Sequence, residues 1–222
     1  MKDSDILEKI LYVSTDQYLE KLKIKIRQEI NHVLTLGFDE LSAIHTKRLT
    51  IEIYERLKEF NLSEYKKIAR QARVNAQTVL APDEIKKLKN QDDDETVEDL
   101  LMAYNYVTGY LYDKEADRKR LRMGEEIMTA REFNDRDYLR KQLKRSADLW
   151  YTQSGQYAQD IEDTVLRKTY EEAGIKRVMW VTEHDERVCK VCEALDGNIY
   201  PIHDAPRKQH YHCRCFLVPV RD

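Results

Sequence analysis

Four cysteines lie near the C-terminus of this 222-residue chain, in two closely spaced pairs. Cys189 and Cys192 are separated by two residues, a spacing at which a tight turn aims both sulfur atoms at one ion. Cys213 and Cys215 alternate along a segment predicted to be a strand, so that both side chains point to the same face. His210 lies just upstream and offers a further donor atom. This pattern predicts a zinc site.

The predicted site has more candidate ligands than zinc needs, because tetrahedral zinc takes four. The preferred set contains the first cysteine pair and two donors from the second group. Zinc would contribute directly to folding, since the surrounding segment has few hydrophobic residues with which to build a core. His212 is a further neighbour. The candidate metal donors are Cys189, Cys192, His210, Cys213 and Cys215.

Disulfides and redox chemistry are the other possible uses of these cysteines. Disulfides form in oxidising surroundings, such as those of an exposed particle, whereas paired short spacings in a reducing cytosol favour metal. A redox pair would place its first cysteine at the start of a helix within a longer α/β pattern, and no such pattern surrounds Cys189. The N-terminal residues show no secretion signal, and no apolar run approaches membrane-spanning length. Metal binding is therefore the favoured interpretation.

Two enzymatic alternatives would use the same region. The run His184-Asp185-Glu186 matches half of a zinc-deaminase signature, but Cys189 follows too soon for such a site to form between them. A metal-dependent nuclease could use the histidines at positions 203, 210 and 212 to hold a second metal and activate water. Nuclease sites of this kind usually place the last histidine on a helix, whereas a strand is predicted here. The nuclease remains the alternative function.

The composition of the chain predicts a mainly α-helical protein. Charged residues make up 36%, while there are only 6 glycines and 4 prolines, which favours extended helices over a turn-rich fold. Apolar residues recur at helical spacing, and cap residues divide the pattern. The predicted helices run from Ser4 to about Leu36, from Asp39 to Asn61, onward from a cap at Ser63, briefly from Pro82, and from about Gln156 to Ala173 before a stop at Gly174. Residues 91–95 are predicted to form an exposed loop.

The C-terminal pattern changes near residue 175 from helical to strand-forming. Short strands are predicted at 178–181, at 198–200 after an Asp196-Gly197 turn, and at 215–218. Trp180 is expected to pack the small core, Gly197 to allow the turn, and Asp185 to accept backbone hydrogen bonds. We therefore predict a long helical N-terminal region, residues 1–155, followed by a small α+β zinc-binding module with short antiparallel strands, residues 156–222.

Charge offers a weaker indication of function. The net charge of -3 gives no reason to expect sequence-blind binding to nucleic acid. The stretch from Lys114 to Arg145 is locally basic, and its simpler interpretation is a solvated helix face. The functional interpretation is contact with DNA through Arg136, Arg140 and Lys144.

The C-terminal sequence resembles the signature of the phage Mu F-like minor head proteins, also called phage head morphogenesis proteins. The resemblance covers about residues 165–219, and the N-terminal helices are compatible with it. The matching segments are the strand and knuckle from Trp180 to Cys192, the Leu195-Asp196-Gly197 turn, and the run His210-Tyr211-His212-Cys213-Arg214-Cys215.

This resemblance implies a non-enzymatic minor capsid protein of a tailed phage or prophage. Its expected partners are the portal protein, capsid or scaffolding proteins and packaged DNA, with no membrane partner. Its expected place is the capsid interior at the portal vertex, and the bacterial host cytoplasm during assembly. The helical region would dock on the portal or capsid, and the protein would act in head assembly and in DNA packaging or ejection. A host zinc-ribbon adaptor is a third possibility.

Overall fold

A computed structural model describes residues 3–88, 94–100, 112–184, 186, 188–208 and 213–221. The described part is mainly helical, which confirms the predicted fold class. None of its helices is long and apolar enough to span a membrane. Residues 94–100 are also helical. The other helices are α1 (Asp3–Thr35), α2 (Ala43–Gln77), α3 (Pro82–Ile85), α4 (Tyr112–Glu132), α5 (Arg136–Glu172) and α6 (Lys190–Leu195).

The C-terminal segment forms a three-stranded antiparallel sheet, as predicted. Its strands are β1 (Arg177–Val181), β2 (Ile199–Pro201) and β3 (Phe216–Val220), in the spatial order β2-β1-β3. Met179 of β1 lies opposite Ile199 on one side and Val218 on the other. The third strand begins after Cys215, although the sequence predicted that Cys215 would belong to it.

One long helix replaces the two that were predicted on either side of Ser63. The expected boundary was wrong because Asn61 is buried and its side chain is satisfied within the helical packing. It accepts a hydrogen bond from the Tyr18 hydroxyl at 2.9 Å and donates one to Ser154 Oγ at 2.9 Å. A polar residue that packs inward has no need to cap a helix end, so α2 continues to Gln77.

Three smaller expectations have mixed outcomes. Pro82 begins α3, and Gly174 ends α5 with a φ of +85°, both as predicted. The start of α5 is Arg136 rather than Gln156, because buried Leu139 and Leu143 extend its apolar face. Of the predicted loop, residues 91–93 lie outside the described residues, whereas residues 94 and 95 are helical.

The chain divides into two compact units. The module unit comprises Met1–Gln17, Tyr65–Val97 and Gly155–Asp222, and the helical unit comprises Tyr18–Glu64 and Glu98–Ser154. In the module unit, the sheet packs its apolar side chains against the ends of α2 and α5. Trp180 lies in this core and is 1% exposed, beside buried Tyr170 and Leu217. The predicted division between residues 155 and 156 stays a prediction.

Candidate metal centre

Three buried cysteines converge in the module unit. The sulfur atoms of Cys192, Cys213 and Cys215 all lie within 4.8 Å of one another. The Cys192 and Cys213 sulfurs are 3.7 Å apart. All four cysteines of the chain are free thiols. The three buried side chains are therefore close enough to hold one metal ion.

The first cysteine pair is positioned by the start of α6. Cys189 is the N-cap residue of this helix, and its sulfur accepts a hydrogen bond from the backbone N–H of Cys192 at 3.4 Å. The sequence had predicted only a tight turn here. A helix start can also position the two cysteines, because the backbone N–H groups of its first turn have no partner within the helix and can donate to a sulfur atom.

This helix start meets one of the two conditions for a redox pair. The other condition is a longer α/β pattern around the cysteines. The described sheet is small and antiparallel throughout, so that surrounding pattern is not found in the described part of the chain.

The second cysteine pair is held by contacts with α5. Gln159 Nε2 donates to the carbonyl oxygen of Cys213 at 3.2 Å, and the Tyr170 hydroxyl donates to the carbonyl of Leu217 at 3.2 Å. Cys213 and Cys215 precede β3, so the prediction that a shared strand face brings them together was wrong. Their segment is bonded to α5 through the carbonyl of Cys213 instead.

The sulfur spacing fits a tetrahedral metal site. Zinc-thiolate bonds of about 2.3 Å at tetrahedral angles place sulfur atoms about 3.8 Å apart. The 3.7 Å between Cys192 and Cys213 is close to that separation. A disulfide would require a sulfur separation of about 2.05 Å. Cys192 and Cys213 therefore have the spacing of co-ligands, whereas Cys189 is not part of the group whose sulfur atoms all lie within 4.8 Å of one another.

The crowding of the thiols changes their protonation. Burial, together with the neighbouring thiols, raises the pKa of Cys192 to about 12. The pKa of Cys215 is raised as well, first by its hydrogen bond with Cys213 and then by burial. Clustered thiolates repel one another in a site with little water. A divalent cation offsets this repulsion and allows deprotonation, so the donor set fits a metal that prefers thiolate.

A buried ion pair lies beside the cysteine cluster. Lys208 Nζ is 3.3 Å from Glu162 Oε2, and the two side chains are 7% and 4% exposed. Thr15 Oγ1 donates to the same carboxylate oxygen at 3.2 Å. Burial disfavours the charge of Lys208, but the carboxylates of Glu162 and Asp163 offset it and raise the pKa of the lysine. Sequence reasoning missed this pair, because both residues belong to charged segments that predict exposed side chains.

The turn before β2 connects α6, which carries Cys192, to the sheet. Asp196 Oδ1 accepts from the backbone N–H of Thr182 at 2.8 Å, and the N–H of Gly197 donates to the carbonyl of Trp180 at 2.8 Å. Gly197 has a φ of +72°, the left-handed region that other residues adopt at a cost. The turn thus sets the position of α6 relative to β1.

The histidines and Asp185 contribute less to the described site. His210, His212 and Asp185 lie outside the described residues. His203 is 79% exposed, and its ring lies near Glu171 rather than near the cysteines. Among the residues that the structure covers, the group able to hold a metal consists of cysteines alone.

The three predicted DNA-contacting residues lie in the helical unit and differ in their surroundings. Arg136 Nη2 donates to the carbonyl of Leu36 at 2.6 Å, and its guanidinium lies 4.1 Å from the centre of the Phe38 ring. Arg140 and Lys144 line a surface groove between α1 and α5. Arg136 therefore has a structural role, and contact of these residues with DNA stays a prediction.

Comparison with known families agrees with the cysteine motif. Residues 118–218 match the family described as Phage Mu protein F like protein, which confirms over this region the family predicted from the sequence. The match includes all four cysteines, almost all of the sheet and the whole of α5.

This family indicates a phage head morphogenesis protein located in the virion. A structural family of this kind is consistent with the predicted lack of enzymatic activity, which stays a prediction. No curated protein and no solved structure matches the chain significantly.

Proposed function

We propose that this chain is a minor head protein that acts at the portal vertex, in head assembly and in the packaging or ejection of DNA. The observation that carries the proposal is the family match over residues 118–218, because that region includes the complete cysteine cluster. The proposed partners are the portal protein and capsid or scaffolding proteins. They follow from the family and not from any contact within the chain.

We further propose that the cysteine cluster is a structural zinc centre. Cys192, Cys213 and Cys215 supply three ligands. Cys189 is the preferred fourth, since its sulfur already faces the N-terminus of α6, and His210 is the alternative. Bound zinc would supply a charged cross-link between α6 and the segment before β3. Four protein ligands leave no open position for water, which suits a structural site better than a nuclease.

Zinc content tests the metal proposal directly. Elemental analysis of the reduced, purified chain should find one zinc ion per chain, and Cys192→Ser should lose it. Cys189→Ser and His210→Asn separate the two candidates for the fourth ligand. His203→Asn is the matched control, because this exposed histidine lies away from the cluster. A zinc-free protein whose circular dichroism is unchanged by a chelator would exclude the zinc centre.

Binding to the portal protein tests the functional proposal. The full chain should co-purify with the portal protein encoded in the same phage or prophage genome, and neighbouring genes for portal and terminase are expected. The nuclease alternative predicts cleavage of plasmid DNA with Mg²⁺ or Mn²⁺, whereas a structural protein should cleave no more than background. Failure to bind the portal, together with metal-dependent cleavage, would favour the enzyme.

DNA contact is a separate part of the proposal and has its own test. Reversing charge at Arg140 and Lys144 should reduce salt-dependent retention of DNA without loss of folding. Adding Arg136→Glu is less informative, because that side chain bonds the Leu36 carbonyl and stacks on Phe38. Retention that is unchanged in the Arg140→Glu/Lys144→Glu variant would exclude contact at these positions.

A further inference from the structure

A groove on the surface of the helical unit lies between α1 and the first half of α5. Its volume is about 430 Å³. The floor is apolar and is formed by Ile26 and Ile30 of α1 and by Ala147 and Tyr151 of α5. A concave apolar floor between two helices offers a site for further apolar side chains.

The rim of the same groove is strongly basic. Lys23 and Arg27 line it from α1, and Arg140 and Lys144 line it from α5, against one acidic residue, Asp148. Lys23 and Arg140 are largely exposed, with side-chain fractions of 56% and 66%, and each has an acidic neighbour on its own helix, Glu20 at 3.9 Å and Asp137 at 2.9 Å. Both ion pairs are exposed and therefore weak, so they leave the two cations able to contact a ligand. The whole chain has a net charge of -3, so this basic rim differs in sign from the molecule as a whole.

We propose that this groove binds an acidic amphipathic helix of a partner protein. Apolar side chains spaced at three and four residues along that helix would rest on Ile26, Ile30 and Ala147. Asp and Glu on its flanks would face the cations of the two rims. This is helix-in-groove recognition, in which the apolar floor provides most of the affinity and the charged rim sets partner choice and orientation.

The apolar floor favours a protein helix over nucleic acid. Double-stranded DNA presents phosphates, which need exposed cations and gain nothing from an apolar floor. Single-stranded nucleic acid gains from aromatic platforms, and Tyr151 is the single aromatic residue among those that line the groove. The combination of aliphatic floor and basic rim matches an acidic amphipathic helix on both counts.

The proposal does not depend on the metal centre or on portal binding, since the groove belongs to the helical unit alone. It can therefore fail while the proposed function stands. Loss of zinc or of portal binding would likewise leave it intact. It competes with the proposed DNA contact for Arg140 and Lys144, and the oligonucleotides measured beside the peptide separate the two.

The probe is a fluorescein-labelled designed peptide of about 18 residues, five turns of helix, with Leu at helical spacing and Glu on both flanks. A peptide of the same composition in scrambled order removes the apolar face, and one with Lys in place of Glu reverses the charge. Binding to the full-length chain is measured by fluorescence anisotropy at about 50 mM and about 300 mM salt, where screening differs strongly. A duplex and a single-stranded oligonucleotide are measured in parallel.

The informative variants are Arg27→Glu/Lys144→Glu on the rim and Ala147→Phe on the floor. The matched control is Lys47→Glu/Arg48→Glu, which reverses two exposed charges on α2 that do not line the groove. Reversing two rim charges should weaken the acidic peptide about tenfold at low salt, and less at high salt. Ala147→Phe should weaken it at both salt concentrations. Circular dichroism verifies that each variant is folded.

Selective binding of the acidic amphipathic peptide, lost in the groove variants and kept in the control, supports the proposal. Equal binding of the scrambled peptide, or unchanged binding in both groove variants, overturns it. Oligonucleotide binding that these variants abolish, without peptide binding, would identify a nucleic-acid surface and also overturns it. If the chain self-associates and the same variants abolish this self-association, the groove binds a second copy of the chain, which also overturns the proposal.

Discussion

Replacing Lys208 with methionine tests the buried ion pair beside the metal centre. The substitution keeps much of the side-chain volume but leaves Glu162 without its cation in surroundings where both side chains are less than a tenth exposed. The hydrogen bond from Thr15 remains, yet it does not neutralise the carboxylate. Breaking a buried ion pair from one side costs about 3–5 kcal/mol, and we expect Lys208→Met to lower the free energy of unfolding by that amount.

The double variant Lys208→Met/Glu162→Leu should recover most of the loss. An apolar pair of similar volume removes both desolvation penalties, so its stability should lie within about 1 kcal/mol of the wild type. The exposed pair Arg48 and Glu52 is the comparator, because these side chains are 80% and 45% exposed at i,i+4 spacing. Its double-mutant cycle should give no more than about 0.5 kcal/mol.

Protonation of Glu162 gives the prediction a pH dependence. Burial raises the pKa of this carboxyl, and removal of Lys208 would raise it further. When the pKa of a carboxyl is higher in the folded than in the unfolded state, the free energy of unfolding falls as pH rises above the ordinary carboxyl range. The loss in Lys208→Met should therefore be largest at neutral pH and smaller in acid.

Urea unfolding followed by circular dichroism measures these differences at a fixed zinc concentration, because bound metal shifts apparent stability. Linear extrapolation with comparable slopes allows the four members of the cycle to be compared. A loss of stability below about 1 kcal/mol in Lys208→Met would refute the reasoning. A double variant that is no more stable than Lys208→Met would refute it as well. Either result would mean that water reaches the ion pair and solvates the remaining charge.

Three further features are tested by the same unfolding measurement. Gly197→Ala should lower the free energy of unfolding by about 1 kcal/mol through its positive φ alone, since nothing lies within 4 Å of the added carbon. Gly37→Ala is the comparison, because its added carbon meets only the tip of a flexible side chain, and it should cost less than about 0.5 kcal/mol. Arg221→Gln removes the two guanidinium hydrogen bonds that hold the pKa of Glu84 below its ordinary value. The loss that arises from Glu84, about 1 kcal/mol, should be present at neutral pH and should fade as pH falls below 4.5 toward the lowered pKa of this carboxyl. Asn61→Ala should cost about 2 kcal/mol, because it removes two buried hydrogen bonds, one from the Tyr18 hydroxyl and one to Ser154 Oγ.

The local signals in the sequence predicted the elements of the module well. Gly174 ends α5 and the Asp196-Gly197 turn precedes β2, because glycine is the residue that adopts positive φ at little cost. The short apolar run of strand-forming residues around Trp180 predicted β1. These features depend on neighbouring residues in the chain, and a single sequence contains that information.

Features that depend on distant residues were missed or predicted for the wrong reason. Asn61 looked like a helix end, and only the burial that it shares with Tyr18 and Ser154 shows why α2 continues. Cys213 and Cys215 precede β3, in a segment that Gln159 bonds through the Cys213 carbonyl, and do not lie on the strand that the sequence predicted. Such contacts join residues many positions apart, and neither periodicity nor spacing encodes them.

The strand order has a consequence for the timing of synthesis. β1 is the central strand, and both of its neighbours come later in the chain, β3 some forty residues after it. During synthesis, β1 therefore emerges before both of its partners, with its apolar residues and backbone groups unpaired until they follow. The sheet can close only once Val220 has been translated and released, so an interrupted chain would present an open edge that proteases and chaperones can recognise.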